Sequence, residues 1–355
     1  MKITKVTAWV ENFELTRPYS ISSRRITAVE NILVQLETAN GLVGLGCASP
    51  APSVTKESPQ ACRENLLHGA LDWLVGRETY ELVALCRELE TRYPATPAAR
   101  AAVDMALHDL LARHLDIPLV TLLGQVFPRL PTSITIGIKS LAETLAEAEE
   151  YLGRGFRILK VKVGQNLEED LERLHQLRAK VGAAVTIRVD PNQGYSAADV
   201  TRFVAQSAAL DLEFLEQPLP VQALATQRTL PEALKARIAA DENLLSERDA
   251  LDLIVPPRAC GIFNIKLMKC GGLTPARRIA DLAQTAGITL MWGCMDESII
   301  SITAALHQAL AHPATRYLDL DGSLDLARDV VQGGFILEEG YLRPRATAGL
   351  GVERI

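Results

Sequence analysis

The sequence predicts an α/β fold, with repeated strand–helix units in its second part behind a smaller N-terminal α+β region. Two observations predict it. From residue 132 onward eight short β-rich runs are separated by helical stretches, the pattern of a parallel sheet, and eight units suit a closed barrel better than an open sheet. The polar residue near the end of each run from the second onward also recurs at a steady step. Lys162, Asp190, Glu216, Asp241, Lys266, Cys294 and Asp319 follow one another at intervals of 28, 26, 25, 25, 28 and 25 residues, one βα unit each. Periodicity alone leaves a doubly wound open sheet as the alternative.

Composition narrows the function classes. The chain has 355 residues, longer than a typical single domain, so one large barrel plus a smaller domain fits the length. It is 48% hydrophobic and 23% charged, ordinary for a globular protein. A net charge of −6 with no basic stripe argues against nucleic acid as the main partner. The first residues carry no apolar signal core and no run of about 18 apolar residues occurs, so a cytoplasmic protein without membrane association is expected. The six cysteines show neither a CxxC pair nor framework spacing, as for free thiols in a reducing cytosol. The histidines form no paired-ligand pattern, which argues against zinc.

Residues 1 to about 50 read as strands and turns. ITKVTAWV and NILVQLETANGLVGLG are β-rich, and Asn40-Gly41 marks a hairpin in the second. Between them LTRPYSISSRRITAVE is polar, with Arg24 and Arg25 at its centre; it is either a solvated hairpin loop or a flap over a substrate. SPAPSVTKESP is a second loop. The chain is then helical to about residue 124, with Val103, Ala106, Leu107, Leu110 and Leu111 at helical spacing. In the repeating part, Leu167, Leu171, Leu174, Leu177 and Val181 form an amphipathic stripe, and Thr274-Pro275 supplies N-cap and N1 residues for a later helix.

Leu159-Lys160-Val161-Lys162-Val163 is a strand by its alternation, and a period of two puts Lys160 and Lys162 on one face. Two ammonium groups on a short apolar strand are costly unless acids face them. Asp190, Glu216 and Asp241 end three consecutive strands. Carboxylates brought together repel unless a cation is bound, and hard oxygen ligands select Mg²⁺ or its like. The bland alternative is that each carboxylate pairs with a neighbouring lysine or arginine. Asn192 shares the face of Asp190 and could touch metal or substrate, and Asn264 shares that of Lys266. A lysine beside another cation and a divalent metal has its neutral form favoured and becomes a usable base. Lys162 and Lys266 on opposite sides of a metal-held substrate suit proton removal from one face and return to the other, inverting a carbon α to a carboxylate.

KVK at 160–162, DPNQ at 190–193, EQP at 216–218, DEN at 241–243 and NIKLMKCGG at 264–272 resemble the signature segments of the enolase superfamily, in its muconate-lactonizing subgroup. The resemblance implies a (β/α)7β TIM-like barrel over residues 126–335. Over it would lie an α+β capping domain formed by residues 1–125, with the C-terminal tail 336–355 returning to it. It also implies Asp190, Glu216 and Asp241 as Mg²⁺ ligands, Lys162 and Lys266 as the acid/base pair, and Lys160 as a contact to the substrate carboxylate that lowers its neighbour's pKa.

Asp319 and Asp321 in RYLDLDGS are similar to the pair with which dipeptide epimerases bind the substrate's free α-ammonium, and the GCMDES segment is similar to theirs as well. By the same resemblance Cys294 and Asp296 approach the N-terminal portion or a side chain, and Thr135 meets the C-terminal residue. Arg24 or Arg25 would suit an Ala-Glu substrate, whereas Asp296 suits a cationic one. Cys47 stands where many relatives carry Glu, and the second flap has Lys56 rather than an acid. The implied activity is Mg²⁺-dependent epimerisation at the C-terminal residue of L,L-dipeptides, with cationic or broad preference, by an isomerase expected to be a homo-oligomer. The alternatives on the same fold are an o-succinylbenzoate synthase, an N-acylamino acid racemase or a cycloisomerase, whose acidic substrates give Asp319 and Asp321 nothing to bind. A non-catalytic barrel would not need both lysines.

Overall fold

The computed structural model describes residues 1–22 and 25–355. Its N-terminal part is a three-stranded antiparallel sheet of Ile3–Ser20, Arg25–Thr38 and Val43–Ala48, in sequential order. The Asn40-Gly41 signal is a tight turn: Gly41 has φ +82°, its N–H donates to Thr38 O, and Thr38 Oγ1 lies 2.6 Å from Asn40 Oδ1. Helix Pro97–His114 lies on this sheet and is buried almost all round. The contact is close because both partners are small. A Cβ added to Gly46 would sit 1.8 Å from Ala102 O, so strand and helix backbones nearly touch across an alanine-rich seam. Of the five apolar residues expected on its buried stripe, Val103, Ala106, Leu107 and Leu110 are core and Leu111 is half-buried.

The second part is an eight-stranded parallel sheet in strict sequential order: Ile134–Ile136, Ile158–Lys162, Thr186–Asp190, Leu212–Glu216, Ile238–Ala240, Ile262–Ile265, Thr289–Gly293 and Thr315–Asp319. The first and last strands meet through a parallel bridge between Thr132 and Leu318, with Ser133 N–H donating to Leu318 O at 3.1 Å. That closure rules out the open doubly wound sheet. Helical segments follow each of the first seven strands and none follows the eighth before Val331, which is the (β/α)7β arrangement. Phe214, Ala239, Ile262 and Met291 fill the inside of the barrel with Tyr317 against them. Arg188 lies there too, its guanidinium near the faces of Phe214 and Tyr317 and paired with Glu213 at 2.7 Å.

One expected helix start shifts. The helix after the sixth strand begins at Leu273, with Gly272 rather than Thr274 as N-cap. Its free N–H groups are served from outside: Asp104, on the buried helix Pro97–His114, accepts from Leu273 N at 2.6 Å and Thr274 N at 3.4 Å. A long-range carboxylate thus does what the local threonine was expected to do. Cys86 and His108 also converge on Asp104, but its oxygens are already engaged in this cap. The chain end packs on the same helix, with Asp109 accepting from Leu350 N at 2.7 Å and Arg113 donating to Val352 O at 2.8 Å. The hairpin Phe335–Glu338 with Tyr341–Pro344 pairs instead with Leu130–Pro131 beside the barrel. Among the described residues, no helix is long and apolar enough to cross a membrane.

Candidate active site

Strand register gathers the predicted polar residues at one mouth of the barrel. Lys162 stands opposite Asp190, Thr135 opposite Lys160, and Asp319 opposite Gly293. Glu216 ends its strand, and Asp241, Lys266 and Cys294 lie one residue past the ends of theirs. A cavity of about 360 Å³ opens there, lined by Thr135, Lys160, Lys162, Asn192, Asp241, Lys266, Cys294, Asp296, Asp319 and Asp321 among others. Arg24 lies outside the described residues.

The charges interlock. Lys160, only 2% exposed, places Nζ 2.8 Å from Asp319, 2.9 Å from Glu216 and 3.1 Å from Asp190. Lys162 donates to Asp190 at 2.6 Å and Lys266 to Asp241 at 2.9 Å. Asn264 donates to Glu216 at 2.8 Å, and Asn192 donates to Asp190 through both its backbone and its side chain. The pairing of carboxylates with lysines is therefore real. Burial opposes ionisation of Asp190 and Asp241, but Lys162 and Lys160 hold the first below the usual range, and Lys266 and Lys269 hold the second below it. Glu216 differs: burial, then the charge of Asp190, push it up to about 7 against the pull of Lys160.

For Lys160 and Lys266, before any metal's charge is added, the balance of the protein's own groups favours the ammonium form. Burial disfavours their charge, yet Asp319, Glu216 and Asp190 raise Lys160, and Asp241 and Glu216 raise Lys266. Each ammonium faces more carboxylate than cation, so the protein's own groups keep both charged. The donor set suits a hard divalent ion. Asp190, Glu216 and Asp241 are buried, offer only oxygen and repel one another. Asn192 Oδ1 is buried without a hydrogen-bond partner among the described residues, and Glu216 Oε2 has no contact there beyond the shared Lys160 ammonium at 2.9 Å.

The substrate-side residues are held as firmly. Asp319 accepts from Ser133 Oγ at 2.6 Å as well as from Lys160; burial opposes its ionisation, but Lys160 draws it down to about 2. Asp321 accepts from Thr135 N at 2.7 Å, and burial with the charge of Asp319 pushes it up to about 7. Cys294 Sγ is 3.2 Å from Asp319 O and receives Gly322 N–H, which fixes the loop carrying the acid pair. Asp296 receives the Tyr19 hydroxyl at 2.9 Å, and its carbonyl receives Ser49 Oγ and Asn31 Nδ2 from the N-terminal sheet.

Residues 143–354 match the family described as enolase C-terminal domain-like, and residues 3–124 match the mandelate racemase/muconate lactonizing enzyme N-terminal domain. The chain belongs to the enolase superfamily. Within it the chain is 57% identical to an L-Lys-D/L-Arg epimerase of Methylococcus capsulatus over 352 residues, 99% of each chain. It is 54% identical, over the full length of both, to an L-Lys-D/L-Arg epimerase of Desulforapulum autotrophicum. The fold matches the crystal structure of a dipeptide epimerase from Methylococcus capsulatus complexed with Mg and the dipeptide L-Arg-D-Lys, with a TM-score of 0.98, 57% identity and 99% of each chain covered. This places the chain with the dipeptide epimerases of the superfamily.

Several residues around the site were not singled out from sequence. Lys269, fully enclosed, donates to Asp241 O at 2.7 Å and Asn264 O at 2.9 Å and pairs with the Asp241 carboxylate. Its only sequence signal is its place three residues after Lys266 in NIKLMKCGG, which on a helical turn returns to the same side. Glu297, pushed up to about 7 by burial, and Asp325 and Glu147, which line the cavity, gave no pattern. Cys47 is fully buried with Sγ 3.1 Å from Asn31 Oδ1, so it supports the sheet behind the cavity. Lys56 is exposed, with Nζ 3.5 Å from Ser53 O, and is not among the residues lining the cavity.

Proposed function

We propose that the chain is a Mg²⁺-dependent dipeptide epimerase that inverts the α-carbon of the C-terminal residue of L,L-dipeptides, with a preference for cationic side chains. The observation that carries this reading is that Lys162 and Lys266, from the second and sixth strands, line one cavity together with the carboxylates of Asp319 and Asp321. The relatives supply the substrate class. An L-Lys-D/L-Arg epimerase of M. capsulatus and a dipeptide epimerase from that organism crystallised with Mg and L-Arg-D-Lys are each similar to the chain over nearly their whole length.

In this reading residues 1–125, with the last residues of the 336–355 tail packed back on them, cap the barrel of residues 126–335 and supply the flaps over the substrate. Asp190, Glu216 and Asp241 would hold Mg²⁺, which when bound supplies positive charge to offset these acids and the charge developing on the substrate carboxylate. Lys160 presents a buried ammonium to that carboxylate. Lys162 takes the α-proton from one face and Lys266 returns one from the other, and the roles reverse for the opposite epimer. Asp319 and Asp321 receive the α-ammonium, while Cys294, Asp296 and Thr135 bound the rest of the substrate. An N-acylated or purely acidic substrate would leave that buried acid pair without a cation.

Incubation with Mg²⁺ and pooled L,L-dipeptides in D₂O tests the reading. A gain of one mass unit in lysine- and arginine-containing members, without change of composition, is expected. Absence of exchange in every dipeptide at high enzyme concentration contradicts it.

A further inference from the structure

The cavity has an acidic wall beyond Asp321. Asp325 lies four residues on, in the loop leaving the eighth strand, and its carbonyl is pinned by Thr16 N at 2.8 Å and Thr16 Oγ1 at 3.1 Å. Its side chain lines the cavity, is half-buried, and has no hydrogen bond or ion pair among the described residues. Glu147, from helix Leu141–Gly153 after the first barrel strand, stands beside it at 7% exposure. Its Oε1 takes Lys139 at 2.6 Å, but its Oε2 is buried with no hydrogen-bond partner. Of the nearby cations, Arg17 pairs with Glu150 at 2.7 Å and reaches Glu147 at 3.5 Å, and Arg154 pairs with Glu150 at 3.7 Å, so both temper the acidic wall from outside without an ion pair to Asp325. Burial, then the charges of Asp296 and Glu147, push Asp325 up to about 6, and Asp325 in turn raises Asp321. A buried carboxylate oxygen without a donor costs free energy that an incoming cation would recover.

We infer that Asp325, backed by Glu147, is a specificity-determining residue that receives the cationic side chain of the substrate's N-terminal residue. The inference rests on the dipeptide reading above and deepens it. Asp325 lines the same cavity four residues beyond Asp321, the acid assigned to the α-ammonium, so the side chain beside that ammonium is the one it meets. The ligand class is an alkylammonium or guanidinium, and an aliphatic side chain there would leave the Asp325 carboxylate uncompensated.

Steady-state epimerisation of Lys-Ala and Ala-Lys, each with one side-chain cation, tests this on the wild type and Asp325→Asn. The variant's kcat/KM for Lys-Ala relative to Ala-Lys is expected to fall roughly ten- to hundredfold, mainly through KM, the loss of a charge-assisted contact. Asp325→Glu, which keeps the charge, is expected to restore most of the ratio. Both substrates are read on one preparation, so partial loss of folded protein cancels. An unmoved ratio with an active wild type overturns the inference alone. A wild type inactive on both dipeptides and on the pooled set overturns the dipeptide reading and the inference with it.

Discussion

Lys269 shows how a residue remote from solvent can set the chemistry of its neighbours. Its ammonium is enclosed by Asp241 and the Asn264 carbonyl, and burial lowers its pKa even as Asp241 pulls the other way. Asp241 in turn has Lys269 on one oxygen and Lys266 on the other, so its carboxylate is oriented from two sides. Groups that orient a metal-binding carboxylate typically contribute ten- to hundredfold to affinity. Lys269→Met is therefore expected to raise the midpoint of a Mg²⁺ titration, followed by calorimetry, at least about tenfold. An unchanged midpoint would mean that Lys266 and the backbone suffice to hold Asp241. Glu216 is the counterpart: with no lysine of its own beyond the shared Lys160, it stays the least ionised of the three acids.

At the scale of elements, helix Pro97–His114 joins the parts of the chain. Its alanines let the strand Val43–Ala48 approach at backbone distance, Asp104 caps the helix that follows the sixth barrel strand, and Asp109 holds Leu45 and Leu350 together. Gly46→Ala forces a methyl into the Ala102 carbonyl, and overpacking of this kind costs about 1–3 kcal/mol. Because the clash is with backbone, a loss near the top of that range is expected in urea unfolding, and a loss under about 0.5 kcal/mol would contradict the tight seam. The same helix explains why local signals misplaced the start of its neighbour. Thr274-Pro275 reads as a cap and first turn, but a carboxylate from 169 residues earlier had already taken the exposed N–H groups.

Across the whole molecule, the barrel and the ring of charges were legible because the fold repeats. A polar residue every 25 to 28 positions in the sequence becomes, after closure of the sheet, a circle of side chains around one mouth. Lys162, Asp190, Glu216, Asp241 and Lys266 carry that phase and were found by it, and Lys160 was found by the alternation along its own strand. Lys269 sits on a helical turn and Arg188 one step deeper on its strand, so neither stands at the repeating position. Asp325 and Glu147 come together from a loop and a helix, a proximity that only the tertiary structure creates. The pull of the carboxylates on Lys160 and Lys266 was likewise illegible, because it depends on how many carboxylates each ammonium faces.

The central claim is that one cavity works with two bases from opposite strands. The direct measurement is α-proton exchange in D₂O, followed separately for each epimer of a Lys-Arg dipeptide, in Lys162→Ala and Lys266→Ala. The two-base account predicts that both variants lose epimerisation, and that any residual exchange in a variant is confined to a single epimer, opposite between the two. Full epimerisation by both variants, or residual exchange of the same epimer in both, would contradict it.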